Sequence, residues 1–334
     1  MGPLYDAGTP LIHRGHQPAL LVEHLQALDL DPAPLWQGTG LAPHDSLLSP
    51  AQYLQMLRNI LHLLASPDTP FVLGQQALPG HFGAASHALL RAGTLRRALQ
   101  VLVAHPARLS PLLVPHFTEE GGQAVLYWTD ALAPAEMRPF LVDLHMNAMR
   151  SLCDWMAGER LPWRFLFNRT PPRHLDHHET HLGSQLRFNC QIDAMLIDAA
   201  QLDRCWPATR HAASDVAHDA LLAQARTEEP RGSLLGALYT HLQATLLDSP
   251  GLEDTALAFG MSPATLKRRL AAHGTHFQAE IDRIRLHTTL RLMHGRGYDS
   301  RQVAEHLGIH DSTNFRRSVK RWSGLTPRLL RDAF

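Results

Sequence analysis

Apolar residues recur along the first half of the chain with the period of a helix. Leu21, Leu25 and Leu28 share one face between Pro18 and Leu30, and Leu54, Leu57, Ile60, Leu61 and Leu64 do so between Pro50 and Leu64. Thr94 stands as an N-cap before a helix running to Ala104. The period then changes. Leu112–Phe117 and Ala124–Thr129 are short apolar or alternating runs joined through Glu119-Glu120-Gly121-Gly122, which predicts two strands and a tight connection. A helix from about Pro134 to Met156 follows, with strand signals at Arg164–Asn168 and Met195–Ile197. Residues 1–226 therefore predict an α+β domain in which helices dominate. Residues 227–232 are charged, polar and broken by Pro230 and Gly232, so they predict a linker with few contacts across it. Residues 233–334 are helical by pattern throughout and predict an all-α domain.

That last domain repeats itself. Ala256-Leu-Ala-Phe-Gly260 and Ala304-Glu-His-Leu-Gly308 share the order Ala, three residues, Gly, with an apolar residue next, and the glycines lie 48 residues apart. Each copy has helix-turn-helix anatomy, over about 252–272 and 300–322. In the first, Leu252, Ala256 and Phe259 make an apolar stripe, Gly260 supplies the positive φ of a sharp turn, and Ser262 caps a helix with Pro263 at its first position. Leu266 and Leu270 face inward, leaving Ala264, Lys267, Arg268 and Ala271 on the other side. In the second, Val303, Ala304 and Leu307 support, Gly308 turns, Asp311 caps, and Phe315, Val319 and Trp322 bury. The opposite face carries Thr313, Arg316, Arg317 and Lys320 at the same spacing. Phe277–His294 predicts a joining helix of about 27 Å. It could hold two recognition helices about 34 Å apart, the separation of successive major-groove faces.

Charge sharpens this picture. The chain has 334 residues and no net charge, yet Pro250–Phe334 holds 14 basic and 8 acidic residues, leaving the remainder net acidic. A basic block on an acidic body favours a polyanion at one end. A solvated Arg-rich face is the plainer account of one such helix, but two equivalent helices on equivalent frames favour DNA, whose guanine edges Arg reads bidentately.

Residues from about Ser233 to Arg331 resemble the DNA-binding domain of the AraC/XylS family of bacterial transcription regulators. The matching stretches are Leu252-Glu-Asp-Thr-Ala256, Gly260-Met-Ser262, Leu266-Lys-Arg-Arg-Leu270, Val303-Ala304-Glu-His-Leu-Gly308, Ser312-Thr-Asn314-Phe315 and Lys320-Arg-Trp322-Ser-Gly324-Leu-Thr326-Pro327. Ile309, Val319 and Leu330 stand where the family usually has aromatic residues, and Thr255 where it has an aliphatic one, whose hydroxyl needs a partner if buried. Residues from about Pro18 to Pro207 are similar to the effector-binding and dimerisation domain of one subgroup, typified by an ornithine-utilisation regulator. Gly74, Gly80-His81-Phe82-Gly83, Gly93-Thr94-Leu95-Arg-Arg-Ala98-Leu99 and Arg187-Phe188-Asn-Cys190 carry that likeness. The resemblance implies a cytoplasmic, sequence-specific regulator with a double-stranded DNA operator, RNA polymerase as the partner of an activator, a small-molecule effector and a homodimer through the N-terminal domain. It implies a DNA site of Ala264, Lys267, Arg268, Ser312, Thr313, Asn314, Arg316, Arg317 and Lys320.

Other chemistry is less favoured. In His174-Leu-Asp176-His177-His178-Glu179-Thr-His181, His174 with His178, or His177 with His181, stand one helical turn apart and could share Zn²⁺ or Ni²⁺ in a metal-sensing regulator. An exposed polar helix in a chain of 23 histidines is the simpler expectation, and no metal or other cofactor is expected. Asp143, His145 and Cys153 suit a nucleophilic site only by residue type. No G-x-S-x-G, P-loop, dinucleotide fingerprint or C-x-x-C occurs, so no enzyme is expected. Cys153, Cys190 and Cys205 lack the number and spacing of a disulfide framework. Met1–Pro10 lacks the character of a secretory leader, and no run approaches the roughly 20 apolar residues of a membrane span.

Overall fold

The computed structural model describes residues 3–42, 44–77, 81–207 and 232–332. Of the expected linker 227–232, residues 227–231 lie outside the described residues, as do the end of the first domain at 226 and Gly80.

The first part is built on strands and helices in mixed order: β1 (Leu4–Tyr5), β2 (Ile12–His13), α1 (Gln17–Ala27), β3 (Leu47–Leu48), α2 (Pro50–Leu64), α3 (Thr69–Ala77), α4 (Ala84–Leu90), α5 (Leu95–Ala104) and α6 (Pro106–Leu109). There follow β4 (Leu113–Glu120), β5 (Gln123–Asp130), α7 (Arg138–Ala157), β6 (Arg164–Phe167), α8 (Asp176–Leu182), β7 (Leu186–Phe188) and β8 (Asp193–Asp198). The two-residue loop Gly121-Gly122 has positive φ at both positions, +59° and +75°, as the tightest hairpins require. It sets the register Glu120↔Gln123 through Leu113↔Asp130. β4, β5, β8, β6 and β7 form one sheet in that order, antiparallel except where β6 meets β7.

The inner face of the sheet, with Leu126, Trp128, Phe165, Phe167, Met195 and Ile197, packs into a core shared with α2, α3, α5 and α7. α3 crosses α7 so closely that a Cβ on Gly74 would overlap the Leu144 carbonyl oxygen, and Asn147 donates to the Phe71 carbonyl at 2.6 Å.

The second part begins with β9 (Gly232–Ser233), which pairs in parallel with β1. It continues through α9 (Leu234–Thr245), α10 (Leu252–Ala258), α11 (Pro263–Ala272), α12 (Phe277–Gly295), α13 (Ser300–His306), α14 (Ser312–Ser323) and α15 (Pro327–Asp332). Apart from β9 it is helical, as expected. The two parts are not loosely strung, which corrects the expectation of few contacts between them. Tyr127, Leu166, Ala194 and Leu196 on the outer face of the sheet belong to one buried cluster with Leu235, Tyr239, Ile284 and Leu290. Tyr127 and Tyr239 meet hydroxyl to hydroxyl at 3.3 Å, and Tyr239 reaches His287 Nδ1 at 2.8 Å. Glu120 at the hairpin tip bridges to Arg291 and Arg296, and Asp130 at the other end of β5 lies 3.1 Å from Arg283. The sheet therefore lies against the strut between the two repeats.

Candidate nucleic-acid interface

Each motif assembles from local signals. Gly260 and Gly308 turn the chain with φ of +64° and +70°. The Ser262 hydroxyl accepts from the Thr265 N–H at the start of α11, and the Asp311 carboxylate accepts from the Thr313 and Asn314 N–H groups at the start of α14. Leu266, Leu270, Phe315 and Val319 are buried, with Trp322 and Ile309 partly so, and Leu330 closes the same core from α15. Ile309, Val319 and Leu330 thus remain core residues despite their smaller side chains. Thr255 is fully buried, and its hydroxyl donates to the Gly251 carbonyl at 2.7 Å, so it has its partner.

These anchors leave Ala264, Lys267 and Arg268 on the exposed side of α11, and Ser312, Thr313, Asn314, Arg316, Arg317 and Lys320 on that of α14. Among the described residues, no carboxylate lies within ion-pair distance of Lys267, Arg268, Arg316, Arg317 or Lys320. Four other arginines of the same region are spent internally: Arg283 on Asp130 and Glu280, Arg291 and Arg296 on Glu120, Arg321 on Asp282 at 3.1 Å. Two residues outside the sequence expectation adjoin this face. Arg301 and Arg328 line, with Ser312, Arg316 and Thr326, a groove of about 870 Å³ between α13, α14 and α15. Each is a lone exposed Arg just inside a short helix, so no charge run marked it.

The histidine cluster is not the solvated helix expected. His178 is buried, meets Arg169 at 2.8 Å and lies 3.4 Å from Asp143. His177 and His181 converge on one oxygen of Asp68 at 2.8 and 3.1 Å, and His181 stacks on Phe71. Those contacts hold the Asp68 carboxyl below the usual carboxylate range, the His177 hydrogen bond most of all. The side chains pin α8 to α3 and α7. Among the described residues, no three His, Cys, Asp or Glu groups stand in a metal-holding arrangement. Asp143 pairs with Arg169, His145 bonds the buried Ser110 hydroxyl at 3.2 Å, and Cys153 is sealed in the core. Burial pushes the Cys153 thiol well up, the opposite of an activated nucleophile.

Comparison with known proteins agrees with this geometry. Residues 24–205, over half of the chain, match the family model described as the arabinose-binding domain of AraC transcription regulator, N-term, and residues 255–333 match a helix-turn-helix domain. The chain is 24% identical over 287 residues to the ornithine utilization regulator of Pseudomonas aeruginosa, covering 86% of this chain and 85% of that one. It is 24% identical over 322 residues to the transcriptional regulator VirS of Mycobacterium tuberculosis, covering 92% of each. No helix among the described residues is long and apolar enough to cross a membrane. With an N-terminal domain of the ligand-binding type and a DNA-binding domain of two helix-turn-helix motifs, the chain belongs to the AraC family of transcription regulators, which are not enzymes.

Proposed function

We propose that the chain reads a specific operator by inserting α11 and α14 into successive major grooves, under control of a small molecule sensed by the N-terminal domain. The observation that carries this reading is the pair of equivalent helix faces whose five cations have no ion-pair partner, while Arg283, Arg291, Arg296 and Arg321 nearby are paired with carboxylates. Within α14, Thr313 and Arg316 occupy the amino-terminal turns and meet base edges, with Ser312 and Asn314 beside them and Arg317 next in reach. Lys320, a turn further on, meets phosphate, as do Arg301 and Arg328 in the adjoining groove. Lys267 and Arg268, next to small Ala264, read the other half-site. The functional division falls at a linker over 227–232, with 1–226 as effector and dimerisation domain and 233–334 as DNA-binding domain. RNA polymerase and a second copy of the chain are its further partners.

The test uses an operator duplex selected from random sequence. Arg316→Ala should cost about 1–3 kcal/mol on that duplex and relax preference at one or two base pairs. Lys320→Ala should weaken selected and scrambled duplexes alike and flatten the slope of log K against log salt by about 0.9. Equal loss on both duplexes for Arg316→Ala, with loss of specific binding only for Lys320→Ala, would reverse the assignment. For the effector, a thermal-shift screen of the full chain against small metabolites should raise the midpoint in proportion to RT ln(1 + [L]/Kd). The likeness to the ornithine utilization regulator puts ornithine in that panel.

A further inference from the structure

A cleft of about 440 Å³ lies between the sheet and the strut α12, within the size range of small-molecule sites. Its walls come from both parts of the chain: Asp130, Arg138 and Asp193 from one, Asp282, Arg283 and Arg321 from the other. Three carboxylates and three guanidinium groups thus line one cavity, and they alternate. Arg138 bridges Asp130 and Asp193; Arg283 takes the second oxygen of Asp130 at 3.1 Å; Arg321 spans both oxygens of Asp282 at 3.1 and 3.2 Å. The inner members are fixed, since the Asp193 side chain is only 4% exposed, whereas that of Arg321 is 57% exposed.

We propose that this cleft binds a small zwitterion, a molecule carrying both an ammonium and a carboxylate group. A lone cation entering here gains a carboxylate but faces three guanidinium groups, and a lone anion meets the mirror-image penalty. A ligand with both charges extends the alternation. Its ammonium takes the place of Arg321 on Asp282, and its carboxylate takes the place of Asp282 on Arg321, the one member free enough to move aside. The Asp282–Arg321 pair ties α12 to α14, so occupancy of the cleft acts on the helix that carries Thr313 and Arg316. Ligand and operator then alter each other's affinity by the same factor. This deepens the effector-responsive reading above and rests on it for its regulatory consequence.

The experiment is calorimetry on the full chain with the twenty protein L-amino acids, 4-aminobutyrate and 5-aminovalerate, run beside operator selection on the same preparation. At least one zwitterion should bind, while its decarboxylated amine and its deaminated acid bind about tenfold more weakly or not at all. Asp282→Asn and Arg321→Gln should each weaken that binding by about tenfold or more, and Arg321 is exposed enough that its variant keeps the fold. The proposal is overturned if a preparation that binds its operator binds none of these probes, if amine or acid alone binds as well, or if both variants bind unchanged. A preparation that binds a zwitterion at the cleft but selects no DNA supports the site and instead sinks the regulator reading.

Discussion

The seat of the β4–β5 hairpin on α12 can be tested with one methyl group. Gly121 and Gly122 both hold left-handed backbone, so alanine at either costs about 1–2 kcal/mol in conformational strain. At Gly122 that is the whole effect, because nothing lies within 4 Å of the added Cβ. At Gly121 the Cβ would overlap the carbonyl oxygen and carbonyl carbon of Gly295, which are backbone atoms and cannot swing aside. The tip must therefore lift from α12. Glu120, whose side chain is 10% exposed, then leaves Arg291 and Arg296. Charged hydrogen-bonding partners of this kind contribute about 1.5–3 kcal/mol. Gly121→Ala should therefore destabilise the full chain by about 2.5–5 kcal/mol, and Gly122→Ala by only about 1–2 kcal/mol. Urea denaturation followed by far-ultraviolet dichroism measures both, with the shift in midpoint at constant slope giving each difference. Equal losses in the two variants would mean that the hairpin tip is not seated on the strut.

Acid should unfold the protein early. Burial pushes His116 and His287 down to about 3 and His145 down to about 4 from an ordinary 6.5. Their contribution is full above pH 6.5 and is lost as pH falls toward those values, by up to about 1.4 kcal/mol per pH unit for each histidine. Chemical denaturation at pH 7 and pH 5 checks this, and equal stability at both would refute it. His178→Ala should destabilise by about 1–3 kcal/mol, since it strips a buried partner from Arg169, while elemental analysis of dialysed protein should find no stoichiometric zinc or nickel. One tightly held metal per chain would make the His174–His181 segment a sensor. Limited proteolysis should cut first near Arg226 or Arg231, and the two fragments should elute together from a sizing column because they share a buried cluster. Fragments that separate at once would contradict that shared core.

Much of the exposed face proposed to read DNA was legible because it is built from local signals. Ser262-Pro263, Gly260, Asp311 and Gly308 act within a few residues, and the helical period alone puts Lys267 with Arg268 and Arg316 with Lys320. Which arginines stay free was not legible. Arg283, Arg291 and Arg296 count toward the basic excess of the last part, yet they are neutralised by Asp130 and Glu120, over 150 residues away in sequence. Some of the acidity of the N-terminal part is thus the complement of that excess. α3 escaped the periodicity because Thr69, Pro70, Phe71, Leu73, Gly74 and Ala77 are buried on more than one side, and the adjacent Gln75 and Gln76 are its only exposed residues, too few to set a helical period. The run Ala124–Trp128 in β5 did carry a hint, being apolar on both faces, as in strands covered from both sides. Its second cover comes from the far end of the chain, where no local pattern could point.

That second cover has a consequence for how the protein is made. Tyr127, Leu166, Ala194 and Leu196 are all translated before the helices that bury them. Leu290, one of the residues that close over this face, follows Leu196 by 94 positions. At about 5–20 residues per second, the sheet emerges from the ribosome some 5–20 s ahead of its lid. During that interval a nascent chain carries an apolar, pairing-competent surface that the finished protein never displays. Slow synthesis across residues 232–290, or a chain broken off before α12, should therefore lead to aggregation rather than to a smaller soluble sensor.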